Sequence, residues 1–184
     1  MDGVFFMQIW YNTTEYEEWG RENMIYILLI AAIVAGDQIV KFFVASTMSV
    51  GQSMQFIPGF MNITYVQNTG AAFSMFSNAT WLLALISAVM AVVVIYFLLR
   101  YRKKFNSRLF SFSMAFIAGG AIGNVIDRIA HGYVIDMMEF DFVHFAIFNV
   151  ADCFVTFGAI MFAVFVIWFW DKKKKTEKAD DGEA

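Results

Sequence analysis

The chain has 184 residues, of which 60% are hydrophobic and 16% are charged, with a net charge of −3 and a mean hydropathy of +0.60. A soluble domain of this size does not bury so much apolar surface, so the composition excludes a soluble globular protein and predicts an integral membrane protein. Cys153 is the single cysteine, which excludes a fold held together by intramolecular disulfides.

Four apolar segments are long enough to cross a bilayer as helices. They lie at about 24–44, 80–99, 108–128 and 146–170. A hydrocarbon core of about 30 Å needs about 20 helical residues, which matches the length of each segment. The predicted fold class is therefore an all-α polytopic membrane protein with four transmembrane helices.

The distribution of lysine and arginine predicts that both termini are cytoplasmic. Residues 100–108 carry five basic residues, and the segment after Trp170 begins with an aspartate and four lysines. Residues 45–79 contain no charged residue, and residues 129–145 contain no lysine or arginine. Because basic residues mark the cytoplasmic side, these last two loops are predicted to be extracytoplasmic.

The same two loops contain candidate strands. Residues 61–68, MNITYVQN, show an alternation of apolar and polar residues, and residues 133–145 are a second candidate. Together they predict a small β-sheet cradle at the extracytoplasmic face.

Three regions follow from this organisation. Residues 24–170 form the membrane domain. Residues 1–23 are an acidic N-terminal extension, which we expect to be dispensable or to reflect a translation start at Met24. Residues 171–184 are a charged tail, which we expect to be cytoplasmic and disordered.

Polar residues converge at the predicted extracytoplasmic ends of the helices. The first, third and fourth helices and both outer loops contribute to this group, which contains Asp37, Lys41, Asn68, Asn124, Asp127, Arg128, Asp136, Asn149 and Asp152. Lys41 and Arg128 are the only lysine and arginine outside the predicted cytoplasmic flanks. Ionisable groups at the membrane edge are costly and mark functional sites, so this group is the candidate site.

Simpler structural roles compete with functional ones at several positions. Asp37 and Lys41 are four residues apart, so they are equally well explained as an ion pair that stabilises the first helix. The small residues of 115–123 favour a helix-packing face over a catalytic role. Cys153 is best explained as a small buried hydrophobic residue. Two histidines with Asp141 lack the spacing typical of a metal site, so no metal is expected.

Five motifs, in order on the four-helix frame, resemble the lipoprotein signal peptidase (signal peptidase II) family. They are DQIVK in the first helix, NTGAAFS before the second, GGAIGNVIDR ending the third, HGYVIDMMEF in the following loop and FNVADCFVTFG opening the fourth. Each motif alone is weak, but their order and spacing over residues 24–170 are specific. Residues 1–23 depart from the family pattern.

The resemblance implies an intramembrane aspartic endopeptidase of the bacterial cytoplasmic membrane, with its site on the extracytoplasmic side. It would cut prolipoproteins before a cysteine that carries a diacylglyceryl group. The family's catalytic aspartates fall at Asp136 and Asp152. Its supporting and substrate-binding positions fall at Asp37, Lys41, Asn68, Gly70, Asn124, Asp127, Arg128, Asn149 and Ala151. No cofactor, metal or nucleic acid is implied; the expected partners are the substrate and membrane lipids, and the enzyme is expected to be a monomer.

Two other functions fit the composition. A small proton-coupled membrane carrier would also need membrane carboxylates, but near the midplane and with an inverted repeat, which the sequence lacks. An assembly factor without activity would use the polar group only for packing. Three aspartates compete for the two catalytic roles: Asp127, Asp136 and Asp152. Asp127 is predicted to be a scaffold residue because Arg128 or Lys41 can pair with it, whereas Asp136 has no lysine or arginine within seven residues on either side.

Overall fold

The computed structural model describes residues 2–70 and 79–180. In chain order, its helices and strands are α1 (Asp2–Thr47), β1 (Ser53–Ile57), β2 (Met61–Asn68), α2 (Thr80–Phe105), α3 (Arg108–His131), β3 (Val134–Phe140) and α4 (Val150–Asp180). Segments of all four helices are long and apolar enough to cross a membrane, and they cover Asn23–Thr47, Thr80–Phe105, Arg108–His131 and Val150–Phe169. The predicted class of four membrane helices with a small sheet is confirmed.

Small residues on α3 allow its neighbours to approach closely. A Cβ added at Gly119 would lie 2.9 Å from the Ile33 side chain of α1, and one at Gly123 would lie 2.5 Å from Oδ2 of Asp37. A Cβ at Gly120 would meet the carbonyl oxygen of Ala151 at the start of α4. Because α3 contacts α1, α2 and α4, it is the central helix, and the predicted packing face brings the polar ends of three helices together.

The ends of α2 and α3 are closed by turn residues. Asn106 follows α2 with a φ of 42°, and its N–H donates to the carbonyl of Arg102. Ser107 then caps α3 by accepting from the N–H of Phe110, and Gly132 ends α3 with a φ of 78°. Asn106 and Ser107 lie between α2 and α3 and reverse the direction of the chain. Most of the predicted 100–108 loop is therefore helix.

The sheet is antiparallel, in the order β1–β2–β3. Residue pairs such as Ser53 with Thr64 and Asn68 with Val134 fix its register. One face packs on the end of α1, where Val44 and Met48 join Tyr65 in a buried cluster. Asn68 and Val134 form the last residue pair at one end of the β2–β3 ladder. The polar group lies at this end of the sheet.

Several element boundaries differ from the sequence-based expectations. The strand expected within 133–145 covers only Val134–Phe140, and β1 was not predicted because its five residues are all exposed and show no burial alternation. The fourth helix begins at Val150 rather than 146 and continues to Asp180, whereas disorder was expected from residue 171. Lysine, glutamate and alanine are good helix formers, which explains this continuation.

The first helix starts well before residue 24, at Asp2. Asn23, which the sequence assigned to the N-terminal extension, is 4% exposed. Its Oδ1 accepts a hydrogen bond of 2.9 Å from Nε of the buried Arg102 on α2. Asn23 is therefore packed into the membrane domain.

Candidate active site

The ammonium group of Lys41 joins α1 to α3. Its Nζ lies 2.8 Å from Asp37 Oδ2 and 2.9 Å from Asp127 Oδ2, and it donates to Asn124 Oδ1 at 3.0 Å. Lys41 is 1% exposed and both aspartates are equally buried. Buried charges are stable only when paired and hydrogen-bonded, so two carboxylates and an amide oxygen compensate one buried cation.

Asp127 also connects α3 to the beginning of β3. Its Oδ2 accepts from the backbone N–H of Ile135 at 3.0 Å, and its Oδ1 accepts from Nε2 of Gln38 at 2.9 Å. Because Ile135 directly precedes Asp136, this bond fixes the backbone that carries Asp136. The scaffold role predicted for Asp127 agrees with these contacts, and Lys41 is its cationic partner.

The first turn of α4 positions Asp152 by reciprocal capping. The N–H of Asn149 donates to Asp152 Oδ2 at 3.1 Å, and the N–H of Asp152 donates to Asn149 Oδ1 at 3.0 Å. This is the capping-box arrangement, with asparagine and aspartate in the two capping positions. The side chain of Asp152 is thus held at the N-terminus of α4, where it is half-buried.

Asp136 lies on β3 and is 2% exposed. Its Oδ1 accepts from Nδ2 of Asn149 at 2.6 Å, and its Oδ2 accepts from Nδ2 of Asn68 at 2.9 Å. The pKa of Asp136 is raised from 3.8 to about 6, chiefly by burial and in smaller part by the nearby charge of Asp152, against the opposing effect of these amide donors. Asn149 therefore touches both Asp136 and Asp152.

Asn124 connects the buried ion pairs to Asp152. Its Oδ1 accepts from Lys41 and, at 3.1 Å, from Nδ2 of Asn149. With its oxygen fixed in this way, its Nδ2 faces Asp152 Oδ1 and donates to it at 2.8 Å. The lysine thus determines which way the Asn124 amide points.

The remaining predicted residues complete the group. Nη2 of Arg128 donates to the carbonyl oxygen of Gly70 at 3.1 Å, and the N–H of Gly70 donates to Asn68 Oδ1 at 2.9 Å. The backbone N–H of Ala151 donates to Asp37 Oδ1 at 2.9 Å. All eleven predicted site residues therefore belong to one connected group.

One member was missed from the sequence. Nε2 of Gln38 lies within hydrogen-bonding distance of Asp127, the carbonyl of Gly123 and, at 3.3 Å, Asp37. Gln38 is part of the DQIVK motif and directly follows Asp37, and this position is the feature of the sequence that could have identified it. Among the described residues, no group of histidine, cysteine and carboxylate side chains is arranged to hold a metal ion.

Comparison with known proteins identifies the family. The sequence profile of the family described as signal peptidase (SPase) II matches residues 29–169. A lipoprotein signal peptidase from Enterococcus faecalis is 40% identical over 157 residues, which are 85% of this chain and 95% of that protein. One from Listeria welshimeri is 41% identical over 153 residues, covering 82% and 97% of the two chains.

Solved structures agree with this assignment. A bacterial membrane enzyme determined by the in meso method at 2.3 Å resolution superposes with a TM-score of 0.74 at 30% identity, covering 81% of this chain and 91% of that one. A second, determined at 1.9 Å resolution, gives a TM-score of 0.68 at 31% identity, with 77% and 92% covered. The chain therefore belongs to the signal peptidase II family.

Proposed function

We propose that the protein removes signal peptides from prolipoproteins, using Asp136 and Asp152 as its catalytic pair. Family membership makes it an aspartic-type signal peptidase of bacterial membranes, and the relatives named lipoprotein signal peptidase give the carrier alternative no support. The observation that carries the choice of this pair is the Asn149 side chain and backbone, which hydrogen-bond to both carboxylates.

Peptide hydrolysis by two carboxyl groups needs one ionised and one protonated member. We assign the protonated role to Asp136, because it is buried and its pKa, raised to about 6, favours the protonated form more than that of an ordinary aspartate does. We assign the base role to Asp152, which is half-buried and accessible to water. Asp152 takes a proton from water as the oxygen attacks the peptide carbonyl, and Asp136 donates its proton to the carbonyl oxygen. As the tetrahedral intermediate collapses, Asp152 gives its proton to the leaving amine, and Asp136 regains a proton from a hydroxyl group of the intermediate.

The buried ion pairs support this pair without taking part in proton transfer. Lys41 orients Asn124 toward Asp152, and Asp127 anchors the backbone next to Asp136. Removing one partner of such a buried network leaves an uncompensated charge, which costs about 3–5 kcal/mol. We therefore expect variants of Lys41 to lose both stability and activity.

The substrate and its side of the membrane follow from chemistry and charge. The basic residues of 100–108 and 172–175 favour an orientation with both termini inside, which puts the pair at the extracytoplasmic surface of the bacterial inner membrane. Water reaches carboxylates there. A signal peptide helix that spans the membrane ends at the same level. The family resemblance implies that the cleaved bond precedes a diacylglyceryl-cysteine, whose acyl chains would stay in the bilayer. Since one chain supplies every residue of the site, we propose that it acts as a monomer.

The direct test is cleavage of a lipidated prolipoprotein by the purified protein in nanodiscs. We expect cleavage immediately before the modified cysteine, without added metal or cofactor. Proton-coupled uptake into vesicles without cleavage would instead support a carrier, and absence of both activities would support an assembly role.

Orientation is tested by labelling with a membrane-impermeant thiol reagent in a Cys153→Ser background. Cysteines placed at Ser53 and His144 should react from outside in intact cells. A cysteine at Asn106 should react only after the membrane is opened. Labelling of position 106 from outside would contradict the orientation and the proposed location of the site.

A further inference from the structure

Several large apolar side chains near the Phe140 end of β3 are exposed and lie apart from the polar group of the candidate active site. They come from β1, from the turn between β1 and β2 and from the segment that follows β3. Between 42% and 64% of the surface is exposed in each of Phe56, Ile57, Phe60, Phe142, Val143 and Phe145. We refer to these six residues as the aromatic patch. A surface in water rarely groups so many large apolar side chains, so the patch indicates an interaction surface.

Aromatic rings connect the patch to a membrane-spanning helix. The ring of Phe60 stacks on that of Phe142 at 5.4 Å, and these two rings lie 5.8 Å and 5.4 Å from that of Phe140. The ring of Phe140 lies 5.2 Å from that of Phe148, two residues before Val150, where the fourth membrane span begins. An unbroken row of rings therefore leads from the patch to the end of a membrane span.

The patch lies close to the level at which α4 enters the bilayer. The span Val150–Phe169 has 20 residues, or about 30 Å of helix, which equals the thickness of the hydrocarbon core. Phe148 and Met138 exchange backbone hydrogen bonds of 3.1 Å and 2.7 Å, and Phe140 is two strand residues further on, or about 7 Å. The headgroup region on each side of a bilayer is about 5–8 Å thick. The patch is therefore placed at about the depth of the headgroups.

The charged groups near the patch lie on the opposite face of the sheet. Phe140 pairs with Met61 across the β2–β3 ladder, whereas Glu139 pairs with Asn62. Because neighbouring strand residues point to opposite faces, the carboxylate of Glu139 and the ring of Phe140 are on different sides. Asp141 accepts a hydrogen bond from the same Asn62 and is thus held on the polar side. This end of the sheet is amphipathic, as expected of an element that lies in a membrane interface.

Apolar burial, and not charge, is the attraction that the patch offers to a bilayer. Residues 45–79 carry no charge, and residues 129–145 contain no lysine or arginine. His144 is the only basic residue between positions 132 and 148. Recognition of anionic headgroups needs clusters of basic residues, which these segments lack. The contact should therefore form equally well with zwitterionic lipid.

We propose that the aromatic patch inserts into the headgroup region of the lipid bilayer and anchors the sheet there. Asp136 lies on the same face of β3 as Phe140, four residues away, so the anchor holds this carboxyl group at a fixed depth relative to the helices. The sheet is then held at both ends, by the bond from Ile135 to Asp127 and by lipid at the patch. This membrane contact does not depend on the proposed cleavage reaction.

Spin labels measure the depth of the patch through collisions with oxygen, which concentrates in lipid, and with a nickel chelate, which stays in water. Single cysteines replace Phe56 or Phe142 in Cys153→Ser protein, reconstituted without substrate in phosphatidylcholine nanodiscs. The matched control is Ser53→Cys, on the same hairpin, where the native side chain bonds to Thr64 on the polar face. Labels at positions 56 and 142 should collide with the chelate several-fold less often than the label at position 53, and more often with oxygen.

Two changes then test the cause of the insertion. Phe60→Ser/Phe142→Ser should raise the chelate collisions of the label at position 56 toward those at position 53. Added anionic lipid or salt should leave the depth unchanged, because no cluster of basic residues takes part.

Four results would overturn the proposal. The first is equal chelate collisions at positions 53, 56 and 142, and the second is a depth that the double variant leaves unchanged or that follows anionic lipid. The third is protection from both oxygen and chelate with spin coupling between molecules, which would assign the patch to a second copy of the chain. The fourth is protection that appears only with a lipidated prolipoprotein, which would assign it to the substrate.

Discussion

The carboxyl group of Asp136 should make the folding stability of this protein depend on pH. It is 2% exposed, and burial is the largest cause of its raised pKa, which moves from 3.8 to about 6. A shift of this size corresponds to about 3 kcal/mol, at about 1.4 kcal/mol for each pKa unit. The structure therefore predicts that ionisation of Asp136 destabilises the folded state by about this amount.

The sign follows from proton binding in the two states. Below pH 3.8 the carboxyl group is protonated in both the folded and the unfolded protein, so it contributes no difference. Between pH 3.8 and about 6 the folded state keeps a proton that the unfolded state has lost, so stability falls as pH rises. Above that window both states are ionised, and the full destabilisation remains.

The experiment compares wild type with Asp136→Asn, which cannot ionise. Equilibrium unfolding in mixed micelles gives the free energy of unfolding of each protein at about pH 4 and about pH 8. The difference between the two proteins should move by about 2.5 kcal/mol in favour of the variant over this interval, because only the wild type loses its proton. Any constant cost of altered hydrogen bonds to Asn68 and Asn149 cancels in this comparison. A difference that does not change with pH would refute the reasoning.

Two further predictions concern packing and the N-terminal extension. Gly123→Ala should destabilise the protein by about 1–3 kcal/mol and reduce turnover, since the new methyl group would lie 2.5 Å from Asp37 Oδ2, whereas Gly36→Ala, which meets nothing within 4 Å, should do neither. Loss of function in both variants would contradict this explanation. Removal of the residues before Asn23 should leave activity per folded molecule unchanged. Asn23→Ala should lower the free energy of unfolding by about 1–3 kcal/mol, because it removes a buried acceptor for Arg102. Thermal unfolding of the variant and the wild type measures this, and equal stability of the two would contradict it.

The membrane helices were predictable because their signal is additive. About 20 apolar residues in a row determine a span whatever their neighbours, and the order of the spans with the lysine and arginine distribution then puts distant polar residues at one level. Asp37, Asn124 and Asn149 are far apart in sequence, yet this reasoning placed them together. The four-residue spacing of Gly119 and Gly123 also predicted a packing face on α3, and the structure shows that α1 packs against it.

The details of the polar group were not predictable, because they depend on directions that a sequence does not specify. Neighbouring helix residues point about 100° apart, so the sequence left open whether Arg128 or Lys41 pairs with Asp127. Gln38 acquires its contacts only when α1 and α3 approach at Gly123. Strand β1 gave no burial pattern, because its five residues are all exposed. It is held by backbone pairing with β2, and its side chains do not pack into a core.

The central claim is that Asp136 and Asp152 form the catalytic pair and that Asp127 supports them. The most direct measurement is turnover per folded molecule of Asp136→Asn, Asp152→Asn and Asp127→Asn with a lipidated prolipoprotein in nanodiscs. Loss of acid–base function should lower turnover at least about 10²- to 10⁴-fold in the first two variants, which should still fold and bind substrate. Asp127→Asn should reduce yield or stability but keep measurable turnover in its folded fraction. Full activity of Asp136→Asn, together with a well-folded but inactive Asp127→Asn, would contradict the assignment.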